Sequence, residues 1–191
     1  MKFSTTIASI VLTLGAATMA NAALGVGDKA PEFAAPAALD GKAINFSLKD
    51  ALKKGPVVVY FYPSAFTQGC NLQAHTFAVN HDKFAAAKTS IIGVSLDSQK
   101  RLIDFSSDPE YCAGKVPVAS DPSGDVAKQY GLMVREGRAG AKDTRGQDID
   151  HGFAERTTFV VGKDGKIAAT ITGVAPDKNV EQALAAAQSL K

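Results

Sequence analysis

Val57-Val58-Val59-Tyr60-Phe61-Tyr62-Pro63-Ser64-Ala65-Phe66-Thr67-Gln68-Gly69-Cys70 is the stretch on which the reading of this chain turns. Residues 57–62 are β-branched or aromatic and carry no charge, the composition of a buried strand. Pro63 and Ser64 break it. Residues 71–86 then recur at helical spacing, with Phe77, His81 and Phe84 on one stripe and Leu72, Thr76 and Val79 on another. Cys70 thus falls at the expected start of a helix, just after a buried strand. Unpaired N–H groups at a helix start carry partial positive charge, which stabilises a thiolate, the nucleophilic form of cysteine. Thr67 can aim its hydroxyl at the sulfur or at a substrate oxygen, and Pro63, which lacks an N–H, can shield one side of the site. From position alone, a reactive thiol and an inert buried cysteine are equally open.

Outward from this stretch, strand-like and helix-like segments alternate. Residues 90–96 read as a strand, 99–111 as a helix, 116–119 as a short strand and 125–130 as a helix. Residues 157–161 and 166–172 flank Gly162-Lys163-Asp164-Gly165, which marks a β-hairpin. Residues 178–190 close the chain as a helix, with Asp177 as its expected N-cap. Residues 135–152 are polar, glycine-rich and without periodicity, the longest expected loop. A β-α-β start followed by α-β-β-α gives an α/β sandwich, and the hairpin makes its central sheet mixed rather than parallel. The expected architecture is thioredoxin-like, a mixed central sheet flanked by helices.

At 191 residues, with 46% hydrophobic and 21% charged, the chain has the size of one globular domain and is too ordinary in composition for disorder. Its 21 basic and 19 acidic residues leave no electrostatic footprint for nucleic acid. Two cysteines are too few for a disulfide-stapled miniprotein or a four-cysteine zinc site. His75 and His81 miss the spacing that puts two metal ligands on one helix face, and His151 is remote, so no metal site is expected. Residues 1–22 read as a secretory leader: Lys2 supplies the charge, residues 7–17 the apolar core, and Ala20-Asn21-Ala22 the cleavage pattern. Residues 23–191 are then one exported domain, with no further segment able to span a membrane and with disulfides permitted by its compartment. The style of the leader suits a bacterial periplasm.

Pro63-x-x-x-Thr67-x-x-Cys70, following Tyr60-Phe61-Tyr62, resembles the active-site motif of the peroxiredoxins. Gly27-Asp28-Lys29-Ala30-Pro31-Glu32-Phe33 is similar to that family's opening segment, and Gly93-Val94-Ser95-Leu96-Asp97 to its second strand. Ser120-Asp121-Pro122-Ser123-Gly124 and Glu155-Arg156-Thr157-Thr158-Phe159 match as well, so the likeness runs from about residue 26 to 188. Within the alkyl-hydroperoxide-reductase/thiol-specific-antioxidant superfamily, the chain looks like the bacterioferritin-comigratory-protein (PrxQ-like) subgroup. The resemblance implies an antioxidant peroxidase that reduces hydrogen peroxide and organic hydroperoxides without a cofactor. Cys70 would be the peroxidatic nucleophile, Thr67 would hydrogen-bond the peroxide, Arg156 would supply positive charge beside the sulfur, and Pro63 would screen the site from water. The reductant it implies is a thioredoxin-like protein or a small thiol, and the subgroup leans towards monomers or weak dimers.

The chain departs from the pattern in two places, at His75 and at Gln68. Where the subgroup often carries a resolving cysteine, five residues after the peroxidatic one, this chain has His75. Cys112 is the only other thiol, and it could condense with an oxidised Cys70, remain a spectator, or leave reduction to an external thiol. Bridging would require the Cα atoms to come within about 7 Å, with local unwinding around Cys70. Gln68 stands where relatives have proline, and Gln73 is expected to support the site from behind. Two rivals remain. A thiol–disulfide oxidoreductase would need a cysteine where Thr67 stands, and a non-catalytic binding or chaperone module would survive loss of Cys70.

Overall fold

The structure, a computed structural model, describes residues 22–190. The expected leader, 1–22, lies outside the described residues except for Ala22. In chain order the elements are β1 (Ala34–Leu39), β2 (Lys42–Ser47), α1 (Leu48–Leu52), β3 (Val57–Phe61), α2 (Gln68–Val79), α3 (His81–Ala86), β4 (Ser90–Ser95) and α4 (Gln99–Ser107). There follow β5 (Val118–Ser120), α5 (Asp125–Gln129), β6 (Val134–Arg135), β7 (Phe153–Ala154), β8 (Thr157–Val161), β9 (Ile167–Thr172) and α6 (Pro176–Ser189). Seven strands form one sheet in the order β2-β1-β5-β4-β3-β8-β9, with β6 and β7 as a separate pair. β3, β4 and β5 are parallel, whereas β8 runs antiparallel to β3, and β1 to β5, so the sheet is mixed as expected.

β3 shows how the sequence builds two cores from one strand. Side chains alternate across a pleated strand, and all five residues of β3 are buried. Val58 and Tyr60, with Tyr62 just beyond, enter a core with Phe77 of α2, Leu102 and Phe105 of α4 and Val180 of α6. Val57, Val59 and Phe61 enter the opposite core with Leu48 of α1, Ala127 of α5, Tyr130 and Phe159. Cys70 and Cys112 both belong to the first core. Gly93 of β4 has a steric role here: a Cβ would lie 2.6 Å from the Tyr60 phenol oxygen, so only glycine admits that ring.

The structure moves several boundaries. The segment 71–86 is two helices, α2 and α3, parted at Asn80, whose side-chain amide donates to the Thr76 carbonyl at 2.9 Å and competes for the backbone. The helix expected over 99–111 stops at Ser107, because Pro109 holds Asp108 extended, at φ −59° and ψ 120°. Cys112 therefore lies in a turn beyond α4 rather than on it. Asp177 is not the N-cap of the last helix: Pro176 takes a first-turn position, Ala175 precedes it, and Asp177 lies in the first turn. The β1–β2 hairpin was not expected at all.

Candidate active site

The turn between β3 and α2 is held by contacts from three other segments of the chain. Phe66 has φ +59°, a left-handed conformation that is costly for a side chain with a Cβ and persists only where surroundings enforce it. Here the Phe66 carbonyl accepts from both the N–H and the hydroxyl of Thr144, each at 2.8 Å. The Arg145 guanidinium lies 3.2 Å over the Phe66 ring. One residue earlier, the Ala65 N–H donates to Asp97 Oδ2 at 2.8 Å, and the Ala65 carbonyl accepts from Arg101 Nη2 at 3.1 Å. Thr67 Oγ1 donates to the Ser64 carbonyl at 2.8 Å, which closes the turn. Its proton is thus given to the backbone and not to the sulfur, and Oγ1 is left as an acceptor.

Thr67 is the N-cap residue of α2 and Cys70 the third residue of that helix. The Cys70 thiol is buried, 2% exposed. Arg156, 86 residues further on and immediately before β8, brings Nη2 to 3.2 Å from Cys70 Sγ. The approach depends on Gly69, where a Cβ would lie 3.2 Å from Arg156 Nη2 and 3.6 Å from Pro176 Cγ. Arg156 is itself held from behind: Nη1 donates to Gln73 Oε1, and Gln73 Nε2 donates to Asn179 Oδ1 at 3.0 Å. Asn179 Oδ1 also accepts from the Thr158 hydroxyl at 2.6 Å, and its amide donates to the Ile171 carbonyl at 3.2 Å. Gln73, Thr158 and Asn179 are all buried. The guanidinium is therefore fixed by α2, α6, β8 and β9 together.

Pro63 and Arg156 share a cavity of about 220 Å³ with Arg135, Phe153, Ala154 and Glu155. Cys112 is fully buried, and burial, with the Asp108 carboxylate adding to it, pushes its thiol pKa well up. Both thiols are free. His75, in the position of the expected resolving cysteine, brings Nδ1 to 2.9 Å from the Glu110 carbonyl, linking α2 to the turn that carries Cys112. His81 opens α3, and His151 reaches Asp97, so the three histidines are dispersed. The structure thus gathers Pro63, Thr67, Cys70 and Arg156, the sequence candidates, at one end of β3. It adds Gly69 and Asn179, and a second cluster of Asp97, Arg101, Asp143 and His151 behind the turn.

The sequence matches the AhpC/TSA family over residues 26–170. It is 31% identical over 171 residues to the chloroplastic 2-Cys peroxiredoxin BAS1 of Hordeum vulgare, covering 87% of this chain and 75% of that protein. Against the Spinacia oleracea protein of the same name the identity is 28%, and the match spans 59% of its length. The crystal structure of peroxidoxin BcpB from Mycobacterium tuberculosis superposes with a TM-score of 0.73 at 28% identity, covering 88% of this chain and 99% of that one. Mycobacterium tuberculosis AhpC superposes with a TM-score of 0.68 at 21% identity, a likeness of fold. A family match over most of the chain, on an α/β sandwich with a cysteine at the start of its second helix, leads to one conclusion: the chain belongs to the AhpC/TSA family and is a peroxiredoxin, a thiol-dependent peroxidase.

Proposed function

We propose that Cys70 is the peroxidatic nucleophile of an exported peroxiredoxin of the bacterioferritin-comigratory-protein (PrxQ-like) subgroup, with Cys112 as its resolving partner. The observation that carries this reading is the 3.2 Å approach of Arg156 Nη2 to Cys70 Sγ. A helix start and a fixed cation both favour negative charge on an atom that faces them, and the thiolate is the form of cysteine that attacks peroxide. The thiolate attacks one peroxide oxygen, the O–O bond breaks, and the electron pair departs on the other oxygen, which takes a proton. Sulfur is oxidised to sulfenic acid and the peroxide is reduced to water or an alcohol. Arg156 is placed to stabilise the charge growing on the oxygens. Thr67 Oγ1, its proton committed to Ser64, can accept the peroxide O–H. Pro63 contributes a wall with no N–H to attract water.

Cys112 resolves the sulfenic acid when its sulfur, as thiolate, attacks Cys70 Sγ and expels hydroxide, which leaves as water. An external dithiol, a thioredoxin-like protein or a small thiol, then restores both thiols by exchange. Two facts favour this partner: both cysteines enter the same core, and His75 ties α2 to the turn bearing Cys112. Because burial disfavours the Cys112 thiolate, resolution needs α2 and that turn to open locally. Residues 1–22 we read as an export leader and residues 23–191 as the mature periplasmic domain; the intact mass of the secreted protein should begin at Ala23.

The test is single-turnover oxidation of the reduced protein with one equivalent of hydrogen peroxide, followed by intact mass under non-reducing conditions. Fast reaction with loss of two hydrogens is the expected result, and Cys70→Ser abolishes it. Fast addition of one oxygen instead would retain Cys70 and remove Cys112. Reaction no faster than that of an ordinary free cysteine would overturn the assignment.

A further inference from the structure

The long loop of residues 136–152 does not hang free but is fastened to the turn preceding Cys70 at two points. One is Thr144, with Asp143 beside it. Asp143 is buried and accepts from the N–H groups of Arg145 and Gln147, at 2.8 and 3.0 Å. It also pairs with Arg101 Nη2 at 2.7 Å and with Arg145 Nη2 at 3.0 Å. The other is His151. Its ring is only 11% exposed, with Nε2 2.8 Å from Asp97 Oδ1 and Nδ1 2.7 Å from the Gly152 carbonyl oxygen.

The two close partners of the His151 ring are acceptors, a carboxylate oxygen and a carbonyl oxygen; the Ser64 hydroxyl, 3.4 Å from Nε2, gives its proton to Asp97 Oδ1 at 3.1 Å. A neutral imidazole has one N–H and one lone pair, so either neutral tautomer would set a lone pair against an acceptor at hydrogen-bond distance. Only the imidazolium satisfies both contacts. Asp97, fully buried, is the hub at which this contact meets the turn. It also accepts from the Ser64 hydroxyl at 3.1 Å, from the Ala65 N–H at 2.8 Å and from the Ser95 hydroxyl at 2.7 Å.

We propose that His151 is a positioning residue of the peroxidase reaction: as an imidazolium it clasps the 136–152 loop to the Ser64–Ala65 turn through Asp97, and it lets the loop go when the proton is lost. The inference rests on Cys70 as the reacting group. With the clasp closed, Ala65, Phe66 and Thr67 stay in the arrangement that aligns Thr67 and the start of α2 with a peroxide. With the clasp open, the same turn is free to make the local unwinding that resolution requires.

The groups around the ring fix the sign. Ser64 faces it from the β3–α2 turn, Asp97 from the turn after β4, Arg101 from α4, and the Phe153 ring from β7. Burial and the Arg101 cation favour the neutral ring. They are outweighed by the hydrogen bond and charge of Asp97, with the Gly152 carbonyl adding, so the His151 pKa is raised. A raised histidine pKa means that the clasp is complete below the ordinary value of about 6.5 and is lost as pH rises through the higher folded value. Asp97 is shifted down, since the His151 hydrogen bond and charge, the Ala65 N–H and Ser95 outweigh its burial, so it stays ionised throughout that interval.

The experiment uses the full reduced protein and the variant His151→Gln, which is neutral and cannot titrate. The chain has three histidines, so the imidazole proton resonances can be assigned by the one that the variant removes. Single-turnover oxidation by hydrogen peroxide is measured for both proteins between about pH 6 and 9. The ratio of the two rates isolates what depends on His151. The expected ratio is at least about fivefold in favour of the natural protein at the acid end, as loss of a charge-assisted contact implies. It then falls towards unity with the midpoint at which the His151 resonance titrates. A ratio that is flat while His151 titrates, or a His151 midpoint at or below about 6.5, would overturn the proposal. If neither protein outpaces a free cysteine, the assignment of Cys70 has failed instead. The nuclear resonance midpoint still reports on the clasp in that case.

Discussion

Gln73→Leu tests whether the cation beside Cys70 works because it is present or because it is held. Gln73 is fully buried and touches no reacting atom, yet Arg156 Nη1 donates to its Oε1 while Arg156 Nη2 faces the sulfur. Leucine keeps the bulk and removes the acceptor. Asn179 keeps two of its partners, the Thr158 hydroxyl and the Ile171 carbonyl, so the core behind is not left wholly unsatisfied. A hydrogen bond to a charged group contributes about 1.5–3 kcal/mol, which converts to a slowing of roughly 10- to 150-fold if all of it had served to orient the guanidinium. The ceiling is set by Arg156→Met, which removes the cation outright and should cost about 10²–10³ in rate, as loss of a fixed transition-state donor does elsewhere. The assay is stopped-flow oxidation by hydrogen peroxide at one pH, run as a double-mutant cycle. If Gln73 acts only through Arg156, Gln73→Leu in the Arg156→Met background should slow the reaction no further. Additive losses in the double variant, or an unchanged rate in the single one, would refute the reasoning. Circular dichroism melting separates rate from folding: Arg156→Met leaves the buried Gln73 Oε1 without its donor, at a cost of about 1–3 kcal/mol, and should leave the domain folded.

Gly69→Ala adds a methyl group 3.2 Å from Arg156 Nη2, so the guanidinium must retreat by a few tenths of an ångström; oxidation should slow about tenfold with little loss of stability, measured by the same stopped-flow assay. Cys112→Ser should leave the first turnover intact, accumulate a Cys70 sulfenic acid trapped by dimedone, and lower stability by about 1–3 kcal/mol, because a hydroxyl replaces a thiol in a fully buried apolar site. Thermal melting followed against pH should show loss at acid pH. Burial of Asp97 and Asp143 is outweighed by their hydrogen bonds and cations, so both pKa values are lowered, and the stability they contribute is present above about 3.9 and lost as pH falls through the folded values. Asp97→Asn should flatten that acid limb, and an unchanged limb would remove Asp97 from the account.

What was legible in the sequence was whatever is continuous along it. The buried run of β3, its break at Pro63 and the helical spacing that follows Cys70 are neighbours in the chain, so composition and spacing alone put Cys70 at a helix start, which the structure begins at Gln68. The β8–β9 hairpin was read from Gly162-Lys163-Asp164-Gly165 for the same reason, and the observed turn keeps Gly165 at φ +79°. The β1–β2 hairpin carries an equally local signal, Asp40-Gly41 with both residues at positive φ, which is the two-residue turn that right-twisted strands prefer. Ala34-Ala35-Pro36-Ala37-Ala38 has poor strand propensity, which works against that signal. Pairing with β5 and with β2 decides the matter there, not propensity. Pro109 was also in plain view as the end of α4, and it relocates Cys112 from a helix to a turn.

The site divides along the same line. No periodicity singles out Arg156, which only the resemblance to a family motif could bring to Cys70 across 86 residues. Its supports were less legible still. Gln73 could be suspected because it lies one helical turn beyond Cys70, but Asn179 is one amide among several polar residues of α6. What selects it is burial: position 179 lies inside, against β8 and β9, where an amide must find partners, and Thr158, Ile171 and Gln73 supply them. The loop of 135–152 reads from sequence as polar and irregular; in the structure Arg135 belongs to β6 and Lys142 bridges to Asp148, and the rest is irregular. Yet Asp143 and His151 are its polar residues that turn inward to meet Arg101 and Asp97 on α4 and the turn after β4. A charged residue in an aperiodic loop gives no sign of whether it faces water or a buried counter-charge; that depends on residues 42 and 54 positions away. The place of the candidate nucleophile is therefore specified locally and its surroundings non-locally. For that reason the substitutions that test how this site is held lie at Gln73, Asn179, Asp97 and His151 rather than at Cys70.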